Sequence, residues 1–210
     1  MKTNLRLLSV LCLSILFSCN TEQLKEDSVE QDYFKVTEYT VTETDSNRAS
    51  QIEYCFNVDL IAGQHIYVGS LGVTKSETDL ILTYTTIPDW TIGVTHVSIG
   101  DCNEQWVPTT RSGNPKIGKF GHTEPHSADI NRVVYHISLD ALPENSDLFC
   151  FAAHAEVNGP DGEETAWAGG DTDGGGLIGR SSTYPGYTVR DFGGRSWATY
   201  IEALLSTCVY

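Results

Sequence analysis

The sequence predicts an all-β fold, a two-sheet antiparallel β-sandwich of jelly-roll-like or immunoglobulin-like topology. Three observations predict it. Short segments rich in Val, Ile, Thr and Tyr recur along the chain with period-two alternation, as half-buried strands require. Polar and Gly-rich turn segments separate them. No apolar set recurs at helical spacing over three turns, except arguably in Trp197 to Leu205. Seven or eight such strands bury their faces by doubling the sheet. With 40% hydrophobic and 20% charged residues in 210, one folded domain is the economical reading and a disordered chain is excluded.

Taken in order, Phe34 to Val41 reads as an extra edge strand and Gln51 to Leu60 as the first core strand. Ile66 to Val73 alternates, a polar Lys-Ser-Glu-Thr turn follows, and Leu80 to Thr86 is dense in β-formers, which together make a hairpin. Trp90 to Ile99, Arg132 to Leu139, Leu148 to Val157 and Trp197 to Leu205 supply the remaining strands. In Leu148 to Val157, Phe149, Phe151, Ala153, Ala155 and Val157 share one face, and Cys150, Ala152, His154 and Glu156 the other. Cys102 to Asn131 and Gly169 to Gly194, the latter with nine Gly in 26 residues, read as long non-strand loops of the kind that carry function.

Ahead of the domain, Lys2 and Arg6 precede an apolar run from Leu7 to Phe17, too short for the roughly 20 residues of a spanning helix, so it is a secretory signal. Its end, Leu16-Phe17-Ser18-Cys19, resembles the lipobox of bacterial lipoproteins. The resemblance implies cleavage after Ser18, a diacylglycerol thioether on Cys19 and acylation of the new amino terminus, which together anchor the chain stably to a membrane. Residues 1–18 are then the signal peptide and 19–32 a polar, acidic tether. Acidic residues soon after the lipidated cysteine also resemble the export signal of some outer-membrane lipoproteins of glycan-degrading Gram-negative bacteria. The expected location is the outer membrane, lipid-anchored, with exposure at the cell surface as the finer expectation.

Formal net charge is −15, from 13 basic and 28 acidic residues, and Lys2 and Arg6 are lost with the signal. Nucleic acid is excluded as a partner, because that affinity comes from Lys and Arg neutralising phosphates. Four cysteines remain in the mature domain, Cys55, Cys102, Cys150 and Cys208, and in an oxidising compartment they form two disulfides by one of three connectivities. A Cys55–Cys208 bridge would tie the first core strand to the last and leave Cys102–Cys150. The absence of a CxxC pair argues against a zinc ribbon or a thioredoxin-like site.

If Cys102 and Cys150 bond across neighbouring antiparallel strands, the opposed residue numbers sum to 252. Ser98 then faces His154 and His96 faces Glu156, gathering His96, His154 and Glu156 into a patch fit for a metal or for acid–base work, against the alternative of structural histidines. His122-Thr-Glu-Pro-His126 places two imidazoles four apart, but Pro125 prevents the helix of an HExxH site, leaving a metal loop or an exposed loop. Asp161, Glu163, Asp171 and Asp173 stand among flexible glycines as Ca²⁺ ligands would, or form solvated acidic turns. Nucleophile-elbow, Walker and dinucleotide motifs are absent. Tyr184, Tyr187 and Arg190, in the Gly-rich segment, suit a sugar or peptide ligand.

From Ala62 to Tyr200 the chain resembles an uncharacterised secreted β-module of bacterial cell-surface proteins. The resemblance rests on Ala62-Gly-Gln-His65 with Val68-Gly69, the Trp90 to His96 strand, Gly113-Asn-Pro-Lys-Ile-Gly-Lys-Phe120, Ala152-Ala-His154-Ala, Glu164-Thr-Ala-Trp167-Ala-Gly and Trp197-Ala-Thr-Tyr200. It implies a β architecture and extracellular placement, and puts His96, His154, Glu164 and Trp167 at signature positions. The sequence as a whole predicts one β-sandwich domain over residues 33–210. That domain acts as a non-catalytic ligand-binding component, for glycans or a surface protein, through Trp167, Tyr184, Tyr187 and Arg190. The rival from another class is a small metal-assisted hydrolase or lyase using His96, His154 and Glu156, or Glu164. A structural subunit of an outer-membrane complex is the third reading.

Overall fold

The computed structural model describes residues 33–41, 53–144, 146–169 and 181–208. The chain divides into two units, Met1–Gln31 and Asp32–Tyr210, and every described residue belongs to the second. Cys19, Asp171 and Asp173 lie outside the described residues.

Among the described residues twelve strands follow one another: β1 (Phe34–Tyr39), β2 (Phe56–Ala62), β3 (Ile66–Lys75), β4 (Asp79–Thr86), β5 (Thr91–Gly100), β6 (His122–Pro125), β7 (Arg132–Ser138), β8 (Leu148–Gly159), β9 (Gly162–Ala168), β10 (Ser181–Tyr184), β11 (Tyr187–Asp191) and β12 (Thr199–Leu204). Among the described residues the only helical structure is three single 3₁₀ turns. All pairings are antiparallel, in the order β1-β7-β4-β3-β2-β9-β8-β12-β11-β10, with β5 bonded to β8 and β6. The all-β sandwich is thus present, built from one continuous ladder.

Strand β8 lets a single sheet form two layers. Along one edge it pairs with β5, while the other edge is divided between β12, at Leu148 to Phe151, and β9, at His154 to Gly159. The sheet folds over, so that β4 and β7 face β5 across the core. The Tyr84 hydroxyl on β4 donates to the His96 carbonyl at 3.5 Å, and Thr95 on β5 meets Tyr135 on β7. Phe149, Phe151, Ala153, Ala155 and Val157 enter this main core, as their alternation predicts. Fully burying each large apolar side chain contributes about 1.5–3 kcal/mol.

Gly69, opposite a bulge at Leu60 and Ile61, shows how tightly the ladder is drawn. A Cβ there would stand 2.1 Å from the Thr85 carbonyl oxygen, and its φ of +153° is one that side chains rarely adopt. Both disulfides pair as expected, Cys55 with Cys208 and Cys102 with Cys150, with Cα separations of 4.7 and 5.0 Å.

The structure corrects the sequence reading in four places. Glu163 and Glu164 lie on a strand, β9, and only Pro160 and Asp161 form the turn before it. The Gly-rich segment contains the β10–β11 hairpin, closed by Pro185-Gly186. His122 to Pro125 is strand β6, not loop. The β5–β8 register sums to 250 rather than 252, with Gly100 opposite Cys150 and His96 opposite His154. Cys102 lies two residues beyond the last pair, so its bridge reaches back along β8 instead of straight across.

Candidate functional site

A second, smaller core covers the outer face of β5, β8, β9 and β12. Val107, Phe120, Ala152, Trp167 and Ala198 form it, with Trp106, Phe192, Trp197 and Tyr200 packed around. Its loops are fastened by Asn114, whose side-chain oxygen accepts from the backbone N–H of Arg195 and of Ser196 at 2.8 and 3.1 Å. Gly194 permits the contact, since a Cβ there would collide with that oxygen at 2.0 Å. The Gly113–Phe120, Ala152–Ala155, Glu164–Gly169 and Trp197–Tyr200 stretches, distant in sequence, meet here.

His154 sits against this core. It is 1% exposed, with the Trp167 ring edge-on at 4.8 Å and the His96 ring at 5.2 Å. Neither of its ring nitrogens has a hydrogen-bond partner. His96, 6% exposed, is bonded through Nδ1 to Thr123 Oγ1 at 3.0 Å, while its Nε2 has no hydrogen bond and stands 3.8 Å from Glu156 Oε1. Burial pushes His154 down to about 3, with the neighbouring His96 adding to the effect. Burial also lowers His96, and Glu156 opposes that shift. At neutral pH both rings are therefore uncharged and hold lone pairs. The structure thus brings His96, His154 and Glu156 together, because an even-numbered register shift keeps every side chain on its face. Glu164 is not among them. It opposes Val157 on the other face of β9, with its carboxylate beside Gly63.

A second polar array runs through the main core. His126 is bonded through Nδ1 to Glu38 Oε1 at 2.8 Å and through Nε2 to Thr95 Oγ1 at 2.6 Å, and Thr95 in turn meets the Tyr135 hydroxyl. With a neutral ring every donor in the row is used: Tyr135 donates to Thr95, Thr95 to Nε2, and Nδ1–H to the carboxylate. Glu38 is held below the ordinary carboxylate range, first by that bond. His122 instead stacks on Phe34 at 4.9 Å, so the two histidines of the His-Thr-Glu-Pro-His motif serve different neighbours. Replacing Thr95 by Val would leave His126 Nε2 and the Tyr135 hydroxyl without each other's link. The expected loss is about 2–3 kcal/mol by urea denaturation, whereas Thr95→Ser should retain most of the stability.

The predicted ligand residues separate. Trp167 is 3% exposed and packs inside the second core, so it does not reach a ligand surface. Arg190 forms an ion pair with Glu202, on the face of β11 opposite Tyr187. Tyr184 and Tyr187, opposed across the hairpin, stack at 4.8 Å and 16°, and Tyr187 stacks in turn on Phe56 at 4.5 Å. The Tyr187 hydroxyl donates to the Asn57 carbonyl at 3.2 Å. Burial raises both Tyr67 and Tyr187 above the ordinary tyrosine range, with Tyr184 adding to the effect on Tyr187 and the charge of Asp59 to both. Tyr67 and Tyr184 are 42% and 47% exposed. Sequence reasoning missed Tyr67 and Asp59, although an exposed aromatic on an alternating strand was the available signal.

Besides a depression beside Phe34 and His122, two others lie among the described residues. One, of about 620 Å³, is lined by Ser98, Gln105, Trp106, Lys119 and Asp140. The other, of about 440 Å³, has Val94, Glu156, Asn158, Glu163, Glu164 and Thr165 in its walls. Among the described residues no three His, Cys, Asp or Glu side chains already converge on one point as a metal requires, and Asp161 with Glu163 do not complete a calcium site. No helix is long and apolar enough to cross a membrane. The chain matches no protein-family model, no curated protein and no solved structure.

Proposed function

We propose that the protein is an outer-membrane lipoprotein, anchored through Cys19, whose domain binds an extracellular glycan without transforming it. The observation that supports this reading is the stack of Tyr184 on Tyr187, with Tyr184 and Tyr67 exposed and the charge of Asp59 acting on both Tyr67 and Tyr187. Tyr187 is held by Phe56 and the Asn57 carbonyl, whereas Tyr184, stacked on Tyr187, and Tyr67 leave ring surface to solvent. They present the apolar surface that a sugar ring covers with its C–H face. The Asp59 carboxylate accepts from sugar hydroxyls, which supplies orientation. The mature chain carries 28 acidic residues against 11 basic once Lys2 and Arg6 are removed, which sets the ligand class as neutral or cationic, since an anionic polymer would meet repulsion.

The mature chain in detergent should be retained by a polysaccharide in affinity electrophoresis, with no reducing ends released. Removing both rings, Tyr184→Ala with Tyr187→Ala, should weaken retention by about tenfold or more, since a lost aromatic contact is worth about 0.5–1.5 kcal/mol. Retention unchanged in that variant would exclude the patch as the binding surface. Release of reducing ends would overturn the non-catalytic reading.

A further inference from the structure

We infer that His96, His154 and Glu156 form a binding site for a divalent late first-row transition metal, with Zn²⁺ as the ion its donors fit. The site is independent of the aromatic patch.

Buried imidazole nitrogens without partners are the first observation. His154 lacks a bond at both ring nitrogens and His96 at Nε2, although both rings are more than nine-tenths buried. Folded proteins satisfy most such groups, and an exception calls for an explanation, of which a bound ion is one. The second is spacing. Two imidazoles held on one tetrahedral ion by bonds of about 2.0–2.1 Å keep their ring centroids roughly 5 Å apart, and these two are 5.2 Å apart. Third, the Thr123 hydroxyl engages His96 Nδ1, which leaves Nε2 as the nitrogen turned toward Glu156. A hydrogen bond on the far nitrogen is how metal-bound histidines are oriented.

Glu156 supplies the third donor. Its Oε1 is 3.8 Å from His96 Nε2, and its side chain is 56% exposed, so the carboxylate turns onto an ion without displacing packed atoms. That rotation completes a set which the described side chains do not yet close. Glu156 also lines a depression that holds Glu163 and Glu164 and no Lys or Arg, so the surface around this donor favours cations. Two imidazoles and a carboxylate select Zn²⁺ over the oxygen-seeking Ca²⁺ and Mg²⁺, and leave a fourth position for water.

The test titrates the full mature chain, stripped with chelator, with Zn²⁺ by calorimetry and with Co²⁺ by absorption. One equivalent should bind, Co²⁺ giving the intense visible bands of a four-coordinate ion, and Ca²⁺ should not compete. Glu156→Gln and Thr123→Ala, at exposed or half-exposed positions that do not threaten folding, should each lower affinity by about 10–100-fold. His154→Gln should abolish stoichiometric binding, while His65→Gln, on an exposed turn, should leave it unchanged. If His154→Gln fails to fold, the Glu156 and Thr123 variants decide. Absence of a stoichiometric site, the weak bands of six-coordinate Co²⁺, or full affinity in Glu156→Gln would overturn the inference and leave buried water as the partner of these nitrogens.

Discussion

Replacing Cys55 and Cys208 together by Ala is expected to remove about 5 kcal/mol of stability, by the chain-entropy relation for its closed loop, which spans 153 residues. The Cys102–Cys150 bridge spans 48, and the same relation gives about 4 kcal/mol for it. Both figures approach the whole stability of an ordinary domain, about 5–15 kcal/mol. The first double variant should therefore be marginally folded. Guanidinium denaturation of the two variants, with intact protein as reference, checks the order as well as the size. A larger loss from opening the shorter loop would mean that local geometry at the mouth of β5, rather than loop entropy, dominates.

Acidification should produce the second large effect, through His154. The unfolded chain takes up a proton on this ring near pH 6.5, whereas the folded ring refuses it until about pH 3. Between these values the unfolded state binds more protons, so stability rises with pH and is lost as pH falls from 6.5 toward 3. At 1.36 kcal/mol per unit the loss is on the order of 4 kcal/mol. His96, also lowered by burial, and Glu38, lowered by its bond to His126, act with the same sign. Glu38 contributes stability above the usual carboxylate range that is lost as pH falls through its lowered value. The informative quantity is thus the difference between wild type and His154→Leu, each measured with chelator by urea denaturation from pH 7 to pH 4. The Leu variant should show a visibly flatter profile and be no less stable at pH 7, since it removes two unpartnered buried nitrogens. Equal pH slopes in the two proteins would show that His154 is protonated in the fold.

What the sequence made legible is local. Leu148 to Val157 announced both its faces, because one goes wholly to the main core, while on the other Ala152 enters the second core and Glu156 reaches solvent. The hairpin of β3 and β4 was marked by its polar turn. By contrast, β9 begins Gly-Glu-Glu and exposes its first half, so nothing in its pattern distinguished it from an acidic loop. The β10–β11 hairpin was masked by neighbouring glycines. Register was beyond reach, because a disulfide two residues past a strand end fixes parity but not the pairing itself. His96, His154 and Glu156 were found for that reason alone: parity sufficed. The Glu38–His126 bond joins residues 88 apart in sequence, and no local signal anticipates it. Phe56 likewise becomes a neighbour of Tyr187 only through the folding of the sheet.

Covalent topology gives the Cys55–Cys208 bridge a further meaning. It closes all the chain from β2 to the last 3₁₀ turn into a ring, with the second bridge as a chord across it. A peptide bond cut anywhere between Cys55 and Cys208 opens that ring without producing two molecules. The Gly-rich stretch after Gly169 falls inside the ring, as does the long loop after Cys102. A protease acting at either nicks the domain but releases no fragment, and strands on both sides of the cut remain held at their partners. A single cut within the ring is thereby separated from loss of any part of the domain.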